Sequence, residues 1–338
     1  MLDVLVVGGG PAGLVTALYA ARAGLEVAVA ERRPGVLDKA CGEGLMPAAL
    51  RALGELGVDP PGQPITGITY RQGETAVSTR FASGPGRGVR RLELHAALHQ
   101  AVASAGVAVQ EIAVGEVTQH GDHVRAGGLR ARWLVAADGL HSPIRAGLAM
   151  PRPARHPRWG LRQHYAVSPW TDTVEVTWAR SSEAYVTPVG PGTVGVAVLT
   201  SDRGGLAHQL RAFTALTQRL EGAEAVSAVR GAGPLRQDVR HRVRGRVLLV
   251  GDAAGYVDAL TGEGIAVSIA GARVLVQCLV AGHPERYERQ WRRVSRPYRL
   301  ITAGLLAARQ RPVTARVVVP AAARLPRAFG FAVNRLAG

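Results

Sequence analysis

The residues with the most chemical content lie in three short loops, each placed directly after an apolar run. Gly8-x-Gly10-x-x-Gly13 follows the run Leu2–Val7 and opens a helical stretch, and Glu31 closes the next apolar run, Val27–Ala30. This arrangement suits a dinucleotide. Gly8 permits a tight turn, Gly10 lets the backbone approach a pyrophosphate, and Gly13 lets helix and strand pack closely. The helix N-terminus favours the negative charge, and Glu31 is placed to accept hydrogen bonds from ribose hydroxyls. A second match, Gly190-Pro191-Gly192-Thr193-Val194-Gly195, sits between two β-type runs with no helix after it and reads as a hairpin turn. Two later loops have similar placement. Asp138-Gly139-Leu140-His141-Ser142-Pro143-Ile144-Arg145 follows the run Trp133–Ala137. Gly251-Asp252-Ala253-Ala254-Gly255 follows Val247–Val250 and leads to Gly262-Glu263-Gly264-Ile265 at the start of a long helix.

The elements that must position these loops are legible from periodicity. Helical stripes cover Leu14–Ala23, Pro47–Leu56, Leu92–Ala105, Leu206–Leu220 and about Gly264–Ala281. Ile65–Phe81 alternates, and strands are expected near Val107–Ile112, Val114–Thr118 and His123–Ala126. Leu161–Val167, Thr173–Ala179, Ala184–Val189 and Val194–Thr200 are β-rich runs separated by short turns, a spacing that suggests an antiparallel sheet. The reading is an α/β protein: a Rossmann-like dinucleotide-binding domain, an inserted antiparallel β-sheet substrate domain and C-terminal helices. The first domain is assigned to 1–65, 90–150 and 235–283, the β-rich domain to 66–89 and 151–234, and a basic helical segment to 284–338.

With these three loops in this order, the sequence resembles the FAD-dependent superfamily that contains para-hydroxybenzoate hydroxylase, geranylgeranyl reductases and flavin-dependent halogenases. The resemblance covers most of the chain and implies a binding domain of the glutathione-reductase type (GR2) with FAD as cofactor. It places Gly8, Gly10, Ala12 and Gly13 at the FAD pyrophosphate and Glu31, with Arg32 beside it, at the adenosine ribose. It places Gly251 and Asp252 against the ribityl chain, and the backbone of Gly262, Gly264 and Ile265 beside the pyrimidine edge of the flavin. A helix N-terminus there stabilises the anion that reduced flavin carries. Arg91 matches a position that contacts the cofactor, with Arg90 as a near-equal candidate. Asp138 belongs with the cofactor loops, although Asp138 and Arg145 also read as braces between loops.

Cys41-Gly42-Glu43-Gly44 lies where the family's chain passes the isoalloxazine. Gly42 and Gly44 flanking an acid imply backbone close to a flat ring. The segment resembles the geranylgeranyl reductase branch more than para-hydroxybenzoate hydroxylase. Glu43 is the candidate proton donor or relay, and Cys41 the candidate substrate neighbour. The alternatives are a buried filler for Cys41 and a cap on the following helix for Glu43. Two chemistries stay open. One is hydroxylation of an aromatic or polyketide-type biosynthetic intermediate, using O2 through a flavin C4a-hydroperoxide. The other is hydride delivery from reduced flavin to a prenyl or other C=C bond. A halogenase is disfavoured, because no Trp-x-Trp-x-Ile-Pro stretch is present and the single lysine, Lys39, lies in the cofactor loop. No second dinucleotide fingerprint is evident, so NAD(P)H is expected to bind transiently, or a reductase or ferredoxin to supply electrons. Tyr165, Trp178 and Tyr185 are the candidate aromatic walls of the substrate pocket.

Composition bounds the rest. The 338 residues are 47% hydrophobic and 20% charged, enough for a large core and against disorder. Two cysteines outside any CxxC pair argue against a disulfide framework or structural zinc, and no metal site is expected. The net charge of +16 is uneven: Pro284 to Gly338 holds twelve Arg against Glu285 and Glu288. That tail suits contact with an anionic membrane face, because Arg is mixed there with Leu, Val, Ala and Phe. Nucleic acid is not an expected partner, since stacking aromatics are not interleaved with the Arg. Without a leader-like start or a long apolar run, the expected location is the cytoplasm, with peripheral membrane contact through the tail.

Overall fold

The computed structural model describes residues 1–148, 150–152 and 157–338; residues 153–156, inside the stretch assigned to the β-rich domain, lie outside the described residues. Five strands form a parallel core in the spatial order Val247–Leu249, Leu129–Ala136, Leu2–Val7, Val27–Glu31 and Ala108–Glu111. Val4–Val7, Val27–Ala30, Trp133–Ala136 and Val247–Leu249 read as continuous apolar runs because both of their faces are covered, while Ala108–Glu111 is the partly exposed edge. Val4, Leu5, Val6, Leu134 and Leu248 are fully buried. Val117–Gln119 and Val124–Ala126 extend Leu129–Ala136 as an antiparallel meander.

The helix Pro11–Arg22 leaves the first strand through Gly8–Gly10, with Pro11 in its first turn, where the missing N–H costs nothing. It packs beside Gly264–Val280 and Arg91–Ser104, so the N-terminal ends of all three helices serve one cleft.

A second sheet runs Glu224–Ala225, Trp159–Ala166, Thr193–Thr200, Ser182–Gly190, Thr173–Trp178, Gly67–Gln72 and Thr75–Arg80. Its pairs are antiparallel except Thr173–Trp178 with Gly67–Gln72, which run parallel because the chain returns to Gly67–Gln72's edge by a long crossover. The Gly190–Gly195 stretch is the Ser182–Gly190/Thr193–Thr200 hairpin turn, as its flanking runs predict. One helix expected over Leu206–Leu220 is two, Leu206–Leu210 and Thr214–Arg219. The break at Phe213 turns its ring inward, so that Leu206, Leu210, Phe213 and Leu216 all meet one sheet face. A small three-stranded sheet, Gly44–Leu45, Gly86–Gly88 and Gln63–Ile65 in spatial order, packs against the Ser182–Gly190 strand of the second sheet and the Pro47–Glu55 helix. The tail forms helices Tyr287–Gln310, Pro312–Ala315, Val318–Arg324 and Pro326–Ala337, the last two packed on the Thr75–Arg80 strand. Among the described residues no helix is long and apolar enough to cross a membrane.

Candidate functional site

One cavity of about 1200 Å³ runs from the Gly8–Ala12 turn to the inner face of the second sheet. Gly8, Gly10, Ala12, Glu31, Arg32, Cys41, Gly42, Glu43, Gly44, Arg91, Asp138, Asp252, Gly262, Gly264, Ile265 and Tyr185 all line it. At its first end, Gly8 holds φ 109°, and a Cβ there would strike the Ala137 carbonyl oxygen at 2.4 Å. A Cβ on Gly10 would meet nothing within 4 Å, which leaves an open cradle over the helix N-terminus. Neither Pro11–Arg22 nor Gly264–Val280 has a side-chain cap, so their first-turn N–H groups stay free to meet an anion.

Glu31 accepts from the Gly9 N–H at 2.8 Å and the Arg33 N–H at 3.1 Å; these bonds, against the opposing effect of burial, hold its carboxyl below the usual range. Arg91 is 4% exposed and its Nη1 is buried with no partner among the described residues, a nitrogen that an anionic group would satisfy. Burial holds the Arg91 guanidinium and the Lys39 amine below their ordinary values, and burial raises the Asp252 and Asp138 carboxyls. Asp138 accepts the Ile144 N–H at 3.2 Å through one oxygen, and its other oxygen is buried without a partner. Arg145 bridges the two loops, donating to the carbonyls of Leu140, Asp252 and Ala253. Free helix N-termini, a Cβ-free cradle, orphaned polar atoms and two desolvated cations fit a pyrophosphate joined to a polar ring.

Two expectations are corrected, the aromatic walls Tyr165 and Trp178. Gly13 does what its place predicts and lets helix and strand pack closely, and Gly251 closes the cavity wall from behind. A Cβ on Gly13 would lie 1.9 Å from the Gly8 carbonyl oxygen, and one on Gly251, at φ 63°, would lie 2.6 Å from the Ala12 Cβ. Tyr165 stands near the hairpin end of its strand, packs with the cluster covered by Phe213 and Leu216, and gives its hydroxyl to Gln163 at 3.1 Å. Trp178 shares a strand face with Val174 and Val176, which line the cavity. It lies past the cavity's end, beside Tyr70 and under the Arg309 guanidinium.

The Cys41–Gly44 loop is clamped from behind. Glu43 is 3% exposed; its Oε1 accepts the Arg91 N–H at 2.8 Å and its Oε2 lies 2.7 Å from His164 Nε2. Arg162 donates toward His164 Nδ1 at 3.2 Å, so the ring proton sits on Nε2 and is given to Glu43. Ser227 Oγ, 2.9 Å from Nδ1, completes the chain. The carboxylate therefore caps the Arg91–Ser104 helix rather than the Pro47–Glu55 helix that follows it in sequence. Cys41 Sγ accepts the Glu43 N–H at 3.4 Å, and burial pushes its thiol up, away from nucleophilic chemistry. Sequence reasoning missed Arg162 and His164, as well as Tyr70 and Tyr256, which line the cavity. The first two left a signal, namely polar residues at alternate positions of one strand, on the buried side.

The comparisons agree with this geometry. The FAD binding domain family matches residues 1–286. Aurachin C monooxygenase/isomerase of Stigmatella aurantiaca is 30% identical over 312 residues, covering 82% of this chain and 80% of the relative. Menaquinone reductase of Mycobacterium tuberculosis is 29% identical over 332 residues, covering 82% and 76%. Among solved structures, p-nitrophenol 4-monooxygenase PnpA from Pseudomonas putida superimposes with a TM-score of 0.83 at 18% identity, covering 100% of this chain and 98% of that one. The flavin-dependent brominase Bmp2 gives 0.83 at 16% identity, covering 99% and 93%. Those two likenesses speak to the fold alone. The chain belongs to the FAD binding domain family and is an FAD-dependent oxidoreductase.

Proposed function

We propose that the chain is a monooxygenase that places one atom of O2 on an electron-rich ring of a lipophilic biosynthetic intermediate. The observation that supports this most is the continuity of the cofactor cleft with an apolar chamber in one cavity. Beyond the Cys41–Gly44 loop the walls are Ile68, Val174, Val176, Leu199 and the rings of Tyr70, Tyr185 and Trp159. FAD, when bound, supplies electron storage and oxygen activation. This chain's own residues do the rest. The Gly8–Ala12 turn, Arg91 and the Gly264–Val280 N-terminus would hold the cofactor, and the Glu43–His164 pair fixes the Cys41–Gly44 loop in the cavity wall. The apolar wall excludes water from the reacting atoms, which suppresses wasteful loss of reducing equivalents. The balance is one ring C–H, O2, two electrons and two protons giving a phenol and water, the electrons coming as a hydride from NAD(P)H or singly from a partner reductase or ferredoxin with the protons taken from solvent.

A second reading, reduction of a prenyl C=C bond, draws on the aliphatic half of that chamber and on relatives named as menaquinone and digeranylgeranylglycerophospholipid reductases. Product mass separates the two. Incubation of the reduced enzyme with phenolic and prenyl quinone substrates under 18O2 is expected to yield a product heavier by one labelled oxygen atom. A product that gains two hydrogens under anaerobic conditions, with no label taken up in air, overturns the monooxygenase reading.

The tail fits a membrane source for such a substrate. Its inner residues Val319 and Val333 are buried on the second sheet, while Val313 is 78% and Phe331 74% exposed among Arg316, Arg324 and Arg327.

A further inference from the structure

A second pocket, of about 270 Å³, opens on the other side of Tyr256. Its walls come from residues 236–242, the Gly255–Val257 turn, Val267, and the stretch Trp291–Arg299 of the Tyr287–Gln310 helix. Three guanidiniums stand there, Arg236, Arg242 and Arg299, against one carboxylate, Asp238. Asp238 is taken by Arg236 at 3.0 Å. Arg242 is 4% exposed and gives Nε to the Ala254 carbonyl at 3.0 Å and Nη1 to Glu288 at 2.8 Å. Its plane lies 3.9 Å from the Trp291 ring centre, which fixes the direction of the guanidinium. Nη2 has no hydrogen bond among the described residues, and a Cβ on Gly255, in the pocket wall, would lie 3.6 Å from it. Arg299 leans over the same Trp291 at 5.3 Å from the exposed side of the helix.

Ser295 supplies an independent sign of a ligand. It is fully buried, it lines this pocket, and its Oγ has no partner among the described residues. A buried hydroxyl in that state asks for a group the polypeptide does not provide. The donors approach from separate elements, two of them as charged forks, and with Glu288 on Arg242 counted beside Asp238 on Arg236 the surroundings keep one positive charge, that of the exposed Arg299. Such a set matches a tetrahedral dianion with several oxygens better than a planar carboxylate, which one fork would saturate.

We propose that this pocket binds a phosphate monoester group of a small ligand, entering from solvent past Arg299. Tyr256 lines both this pocket and the cofactor cavity, and its backbone is pinned to Gln237 by bonds of 2.8 and 3.0 Å. The bound group therefore sits one ring away from the flavin cleft. Free phosphate or a simple phosphate ester is one source. The other is the phosphate of a phosphorylated nicotinamide dinucleotide acting as electron donor, which rests on the oxidoreductase reading above.

The test uses the FAD-loaded protein. Inorganic phosphate, titrated against chloride at matched ionic strength, is expected to raise Tm in a saturable way, because a ligand bound only by the native state stabilises it. Ser295→Ala removes an unpaired hydroxyl and keeps the fold, and Arg299→Gln changes an exposed side chain. Each is expected to weaken the phosphate midpoint by about fivefold or more. No rise in Tm, or a rise identical in both variants, overturns the proposal. Anaerobic flavin reduction by phosphorylated and unphosphorylated nicotinamide dinucleotides then identifies the source. A preference for the phosphorylated donor that both variants lose assigns the group to the donor, and equal donors with a retained Tm response assign it to a free phosphate or ester. The thermal arm uses no turnover, so its failure leaves the oxidoreductase reading standing.

Discussion

Glu43 holds φ 62° and is the non-glycine residue with positive φ among the described residues. A side chain in that region is strained, by an amount of order 1 kcal/mol or more, and persists only where its surroundings over-determine it. Here His164 and the Arg91 N–H do so and hold Glu43 in place within the Cys41–Gly44 loop. His95 plays a comparable part at the other end of the cleft. It is fully buried, accepts the Leu37 N–H at Nδ1 (3.1 Å) and donates from Nε2 to the Gly9 carbonyl (2.6 Å). Only the neutral ring can do both. Burial, with help from Arg91 and against the Gly9 bond, lowers its pKa from 6.5 to about 4. The unfolded chain therefore takes up this proton first as pH falls. The contribution to stability is complete above about pH 6.5 and is lost as pH drops towards 4, amounting to about 3 kcal/mol at most. Urea unfolding at pH 7 and pH 4.5 is expected to show a shallower pH dependence in His95→Gln than in the parent. Identical slopes would remove His95 from the phosphate-loop design.

At the scale of elements, the tail helix is tied to the second sheet by buried charge. Glu183, fully buried, pairs with Arg158 on one oxygen and with Arg309 on the other, and Arg158 also reaches Asp258 at 3.4 Å. Burial raises Asp258 to about 6, against the pull of Arg158. Arg309 further donates to the carbonyls of Ala179 and Arg180. This network joins Ser182–Gly190, the strand Trp159–Ala166 through its preceding residue, and the far end of Tyr287–Gln310. Glu183→Ala leaves two buried guanidiniums without their carboxylate, and the expected loss is about 3–5 kcal/mol in equilibrium unfolding. A loss below 1 kcal/mol would mean that water or Asp258 takes over the pairing. Helix prediction from periodicity did well here for Gly264–Val280 and less well for 206–220. The stripe Leu206, Leu210, Phe213, Leu216 is apolar at helical spacing, yet a sheet beneath it is served better by two short helices than by one straight rod.

For the whole molecule, charge and apolar surface coincide on the tail. If the exposed Val313, Phe331 and neighbouring Arg side chains meet a bilayer, the protein should co-sediment with vesicles of phosphatidylglycerol at low salt and be released at high salt. Vesicles of phosphatidylcholine should leave it in the supernatant, and Phe331→Glu should weaken the anionic case. Equal recovery in the supernatant with both lipids would sink the membrane reading.

What the sequence by itself determined was local. A glycine turn between an apolar run and a helix is written in consecutive residues, and its consequences for backbone approach and helix charge do not depend on the rest of the chain. So the gathering of Gly8, Gly10, Glu31, Asp252, Gly262, Gly264 and Ile265 around one cavity was legible, together with the fold class and FAD. Only the tertiary structure decided which aromatic faces the cavity. That turns on which side of a strand a residue occupies and how far along it lies, and it separates Tyr185 from Tyr165 and Trp178. It also decided the partners of Glu43, because His164 lies 121 residues away in the chain. The Arg242–Ser295 pocket belongs to the same class. Its wall is gathered from four separated segments, and no spacing within any one of them announces the others.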